Sequence, residues 1–159
     1  MNRLQKILKA RANGIKIPYR AMLASEKTGL PFPALCAVLE KESAGGMNVF
    51  GHDPTIYAGA GTVTKEKYLA YKARRGPQGR GGMQGVGPMQ LTWYSYQDQA
   101  DALGGCWKPL PNMIVGARLL KSYWDASHNW ITVGTRYNGA TSYGVDLAAK
   151  VRKWENILS

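Results

Sequence analysis

The segment PALCAVLEKESAGG (residues 33–46) holds the side chain best placed for acid–base chemistry. In a helix, Leu35, Val38, Leu39 and Glu42 stand at i, i+3, i+4 and i+7 and share one face. A carboxyl group in the last turn, in line with an apolar stripe, is partly desolvated. Desolvation disfavours its charged form and raises its pKa, as a general acid near neutral pH requires. The negative end of the helix dipole acts in the same direction. Glu40 shares its face with Cys36 and Ala37, a weaker apolar setting. Taken alone, the pattern around Glu42 also describes a solvated carboxylate where a helix ends.

Two further segments have residue types suited to a polar ligand. GVGPMQLTW (residues 85–93) places two glycines and a proline before Met-Gln-Leu. The glycines allow backbone to approach a ligand or another segment closely, and the Gln90 amide offers both a donor and an acceptor. RYNGATSYG (residues 136–144) sets a tyrosine and an amide, Tyr137 and Asn138, before a glycine. Each segment by itself also reads as an ordinary loop between helices.

Helices must position these groups. Pro18 as a first helical position and Gly29 as a stop predict a helix over 18–28, and Pro33 to Ser43, closed by Gly45 and Gly46, predicts a second. Others are expected over 64–75, 93–103, 112–127, 130–137 and 144–157. In the last, Leu147, Val151, Trp154 and Leu158 recur at helical spacing as a core-facing stripe. The glycine-rich residues 44–63 are expected to form a small β-hairpin or an irregular loop, and 74–88 a mobile basic loop; both are candidate cleft walls. The fold class expected is mainly α, with at most a small β or irregular element. A chain of 159 residues fits a single domain over 1–159, with 1–16 as a candidate N-terminal extension.

The charge balance favours anionic partners: 21 Lys and Arg stand against 10 Asp and Glu, a formal net of +11. A cell wall, an anionic membrane or nucleic acid would all satisfy it. No stretch is long and apolar enough for a membrane span, and the basic start lacks the apolar core of a signal peptide. Cys36 and Cys106 lack CxxC spacing. Buried reduced thiols are the default, with a Cys36–Cys106 bridge left open. His52 and His128 are far apart, and no HExxH is present, so neither a metal nor a cofactor is expected.

Glu-Ser at a helix end, then G-x-G-x-M-Q, then Y-N-G with a later tyrosine, resembles the soluble lytic transglycosylase and goose-type lysozyme superfamily. The motifs occur in order across residues 33–147. The resemblance implies a lysozyme-like helical domain around a groove, cleaving peptidoglycan between N-acetylmuramic acid and N-acetylglucosamine. It implies Glu42 as general acid, Ser43 positioning the cleft or the substrate, Gln90 lining the sugar cleft, Tyr137 approaching the acid, and Asn138 beside it. Size and the missing export signal resemble a bacteriophage endolysin or a tail-associated domain. Such a protein would be a monomer, made in the host cytoplasm, and would act at the cell wall after release or within a virion.

The superfamily's branches differ after protonation. Lytic transglycosylases use one carboxyl, and the muramic acid hydroxyl attacks to form an anhydro end. Hydrolases use a second carboxylate to activate water, with a separation of about 6.5–9.5 Å for inversion. Asp53, in FGHDP, is the candidate second carboxylate, since goose-type lysozymes carry an aspartate at a similar distance. Asp-Pro is also a common turn-former. Those lysozymes carry another aspartate two positions after Met-Gln, where this chain has Thr92. The hydrolase reading stands slightly ahead.

Lys65, Lys67, Lys72, Arg74, Arg75 and Arg80 are candidates for steering the protein to the acidic wall. Tyr57, Tyr68, Tyr71, Trp93 and Trp107 are candidates for stacking on sugars, although aromatics at helical spacing usually belong to the core. Two other classes compete. One is a non-catalytic wall-binding module, which would not need a carboxyl at position 42. The other is a nucleic-acid-binding protein, for which the sequence shows charge but no recognition motif.

Overall fold

The computed structural model describes residues 1–51 and 61–159, and over these the fold is mainly α. The helices are α1 (Arg3–Ala12), α2 (Pro18–Thr28), α3 (Phe32–Ser43), α4 (Lys65–Arg75), α5 (Tyr94–Ala102), α6 (Pro109–Ser127), α7 (Trp130–Asn138) and α8 (Thr141–Ile157). Six consecutive residues of α3, Ala34 to Leu39, are buried. A helix apolar on all sides is stable only when other helices surround it. Helices α2 and α8 cover α3 directly, within a closed ring of helix contacts that runs from α3 to α2, α6, α7, α8 and back to α3. One continuous apolar cluster extends from Ile7 to Leu158, and the α8 stripe Leu147, Val151, Trp154 and Leu158 lies within it.

Helix α1 has no counterpart among the helices expected from the sequence. Its N-terminus is a capping box: the Asn2 side chain accepts from Gln5 N at 2.8 Å, and Asn2 N donates to Gln5 Oε1 at 2.9 Å. Ile7 and Ala10 are buried, and Arg3 forms a two-pronged pair with Glu26 of α2 at 2.8 and 2.9 Å. Helix α6 starts at Pro109, three residues early, because prolines fit a first turn whose N–H groups have no helical partner.

Residues 44–63 contribute isolated antiparallel bridges rather than a ladder among the described residues: Val49 with Thr62, and Phe50 with Val86. The expected basic loop over 74–88 is corrected at both ends. Arg75 is fully buried: its Nη2 meets Asp98 at 2.7 Å, and its Nε donates to Gln97 Oε1 at 2.8 Å. Gln84 to Met89 are buried as well, leaving exposure around Pro77, Gln78 and Arg80. Cys36 and Cys106 are both buried and free, and burial pushes the Cys106 thiol up to about 12.

Candidate active site

Helix α3 ends by delivering two adjacent side chains to different tasks. Ala44 takes the left-handed conformation at φ 51°, which an alanine adopts only under strain, and Gly45 follows at φ 99°. Lys16 N donates to Gly45 O at 2.8 Å, and a Cβ on Gly45 would stand 2.0 Å from Gly14 O. Only glycine permits that approach. Ser43 turns inward and is buried. Its Oγ donates to Pro88 O at 2.7 Å and accepts from Gly46 N at 3.1 Å. Glu42 faces a cleft instead.

The GVGPMQL segment forms the opposite wall and is held at several points. Val86 and Leu91 exchange both backbone hydrogen bonds at 3.1 Å. Asn112 of α6, fully buried, accepts from Met89 N at 2.9 Å and donates to Val86 O at 2.8 Å. Tyr137 of α7 donates its hydroxyl to Met89 O at 2.7 Å. Gln90 is left-handed at φ 51°, a strained conformation for a non-glycine residue. Its Nε2 donates to Val49 O and Gly87 O, both at 2.9 Å, so the amide nitrogen is occupied and the oxygen remains as acceptor. A Cβ on Gly85 would lie 2.5 Å from that oxygen.

Two cavities, of about 470 and 290 Å³, share Glu42 and Gln90 in their walls. Glu42 therefore stands where they meet. The larger is also lined by Gln84, Thr92, Trp93, Tyr96, Tyr137 and Asn138, and the smaller by Ser43, Met47, Phe50 and Gly51. Amides, hydroxyls and aromatic rings around a groove suit a ligand with many hydroxyl and amide groups and apolar ring faces. Among the described residues, Glu42 is the only carboxylate lining either cavity.

Burial raises the Glu42 carboxyl above the usual carboxylate range, against the opposing pull of a hydrogen bond from Tyr143 and the Lys41 charge. The Tyr143 hydroxyl donates to Glu42 Oε1 at 2.7 Å. Burial and the Glu42 charge push the Tyr143 phenol up, so it stays a neutral donor, and the same two causes raise Tyr137. Glu40, two residues away, shifts oppositely: burial raises it, but hydrogen bonds and charges from Lys153 and Lys150 of α8 outweigh that and lower it. One helix end thus carries a carboxyl biased toward its acid form and another held as an anion.

Glu42, Ser43, Gln90, Tyr137 and Asn138 come together around the cleft, with Ser43 and Tyr137 also anchoring its far wall. The hydrogen bond to the carboxyl comes from Tyr143 rather than Tyr137. Tyr143 is the later tyrosine of RYNGATSYG, a visible signal whose partner only the fold reveals. Gln84 and Tyr96 are further wall residues not anticipated; Met83-Gln84 repeats the Met89-Gln90 pair six residues earlier. Asp53 and Tyr57 lie outside the described residues. Tyr68 and Tyr71 are core, and Trp93, 49% exposed, lines the larger cavity. Of the steering candidates, Arg75 is buried and paired, Lys72 meets Asp101 at 2.7 Å, and Lys65 sits 5.5 Å from the centre of the Trp107 ring. Comparison of the chain with protein-family models, curated proteins and solved structures finds no match.

Proposed function

We propose that the chain is a peptidoglycan glycosidase, cleaving the β-1,4 bond between N-acetylmuramic acid and N-acetylglucosamine, with Glu42 as general acid. The observation that carries this reading is a carboxyl biased toward protonation by burial, oriented by a tyrosine, at the meeting point of two cavities. Glu42 donates its proton to the glycosidic oxygen, and the bond from that oxygen to the muramic anomeric carbon breaks through an oxocarbenium-like state. The +11 charge suits an acidic wall, and phage-driven lysis or wall penetration is the setting we assign.

Two routes complete the reaction. In hydrolysis a water attacks the anomeric carbon and Asp53 takes its proton. In the lyase route the muramic C6 hydroxyl attacks the anomeric carbon, returns its proton to the Glu42 carboxylate and leaves a 1,6-anhydro end. Glu42 is the single carboxylate among the described cavity residues and Asp53 lies outside them, so the products formed decide between the routes. Mass spectrometry of the fragments released from purified peptidoglycan tests both levels. Reducing ends, lost with Asp53→Asn, indicate hydrolysis, and anhydro ends that persist in that variant indicate the lyase. Release of no glycan fragment would leave the wall-binding module as the better reading.

A further inference from the structure

The cleft takes no lining residue from α1, yet the chain's charge is concentrated there and in α2. Residues 1–28 contain seven Lys and Arg side chains and one carboxylate, Glu26, which Arg3 already pairs. Helix α1 itself has no acidic residue. Its inner face buries Ile7 and Ala10. A different face leaves Leu4 and Leu8, one turn apart, 62% and 54% exposed. Leu8 also lines an open groove of about 410 Å³ with Met1, Gln5, Lys9 and Ala12. At about 100° per residue, Leu4, Leu8 and Ala12 form one stripe, bordered by Arg11 on one side and Lys9 on the other. Both of those cations are exposed.

An apolar stripe flanked by cations matches one environment better than the others. The interface of an anionic bilayer offers acyl carbon to the leucines and phosphate to the Lys and Arg side chains. A soluble polyanion would use the cations and leave the leucines in water. A second copy of a +11 chain would bring repulsion and few carboxylates. We propose that α1 docks in the plane of an anionic phospholipid bilayer, with Leu4 and Leu8 entering the headgroup–acyl boundary and Lys9 and Arg11 against the phosphates. Ten residues make a helix about 15 Å long, half the thickness of the hydrocarbon layer, so it lies on the membrane. Among the described residues no helix is long and apolar enough to cross one.

The docking has a consequence for the cleft. Lys16, in the connector after α1, donates its backbone N–H to Gly45 in the turn that follows Glu42 and Ser43. A bilayer-bound α1 therefore holds the cleft at a short, fixed distance from the membrane surface. The inference does not depend on the glycosidase reading.

Vesicle co-sedimentation tests it, with the whole chain mixed with phosphatidylglycerol/phosphatidylcholine vesicles or with phosphatidylcholine alone. The wild type is expected to bind the anionic vesicles and not the neutral ones. Leu4→Asn with Leu8→Asn is expected to weaken that binding at least about tenfold while wall clearing and Tm hold. Because Cys36 and Cys106 are buried, Leu8→Cys can be labelled alone with an environment-sensitive dye, whose emission is expected to shift blue on anionic vesicles only. That label reads insertion even if the asparagine pair loosens α1. Undiminished binding by the leucine variant together with no dye shift would mean ionic adsorption alone and overturn the proposal. So would a dimer in sedimentation velocity that the same substitutions dissolve.

Discussion

The Tyr143 hydroxyl donates to Oε1 of Glu42 at 2.7 Å, joining α8 to the last turn of α3. Lys41 packs over the Tyr143 ring at 4.3 Å and pairs with Asp146, so the tyrosine is held from its other face. The carboxyl's protonation state is set between burial, which raises its pKa, and this hydrogen bond, which lowers it.

Replacing Tyr143 by Phe removes the larger of two lowering influences and leaves only the Lys41 charge to oppose burial. The Glu42 pKa rises further, so the acid form persists to higher pH. The alkaline limb of the pH–rate profile is expected to move upward, while the maximal rate falls about tenfold because the carboxyl is no longer oriented. A pH series of peptidoglycan clearing reads both effects. An unmoved alkaline limb would remove Tyr143 from the account.

Ser43 fastens the turn after Glu42 to the opposite wall of the cleft through Pro88. Ser43→Ala leaves Pro88 O and Gly46 N without this partner in a buried site. The expected cost is about 1–2 kcal/mol in urea unfolding, with a loss of kcat/KM, because the Met89–Gln90 wall is released from the acid. A stability loss with kcat/KM unchanged would show that the tie serves the fold alone.

Arg75 is a structural cation. Arg75→Met should destabilise by about 3 kcal/mol, or roughly ten degrees in Tm, since Gln97 and Asp98 each lose a buried, charged donor. Lys67→Ala, an exposed change on the same helix, should stay within about 0.5 kcal/mol. Equal effects in thermal melts would restore Arg75 to the surface.

What the sequence discloses divides along local and non-local lines. Helix ends written in the local chain are found where expected: Gly29 stops α2, and Ser43 ends α3 before two glycines. The face that carries Glu42 follows from helical spacing alone, and so does the direction of its pKa shift. Helix α1 is equally local, marked by Asn2 and Gln5, but its basic composition masks the capping box. Other features depend on packing that no spacing predicts. Tyr143 rather than Tyr137 hydrogen-bonds to Glu42 because α8 lies against α3. Arg75 is buried because Gln97 and Asp98 arrive from α5, 22 and 23 residues later.

Glu42 should also limit the stability of the fold. Its folded pKa lies above the ordinary 4.5, so the native state keeps a proton that the unfolded chain releases between the two values. Wild-type stability therefore declines as pH rises through the folded pKa, where a desolvated charge must form. Glu42→Gln lacks that decline. It is expected to be more stable than wild type at pH 7, with the advantage fading as pH falls toward 4.5, below which both side chains are neutral. Melting curves across this range check it, and a pH-independent difference would contradict the assigned burial of the charge.

The most direct test is the turbidity loss of purified peptidoglycan with wild type and Glu42→Gln at equal concentration. Gln preserves the acceptor for Tyr143 and removes the transferable proton. The account predicts a fall in clearing rate of about a thousandfold in a variant that remains folded. Equal clearing by the two proteins would contradict Glu42 as the acid.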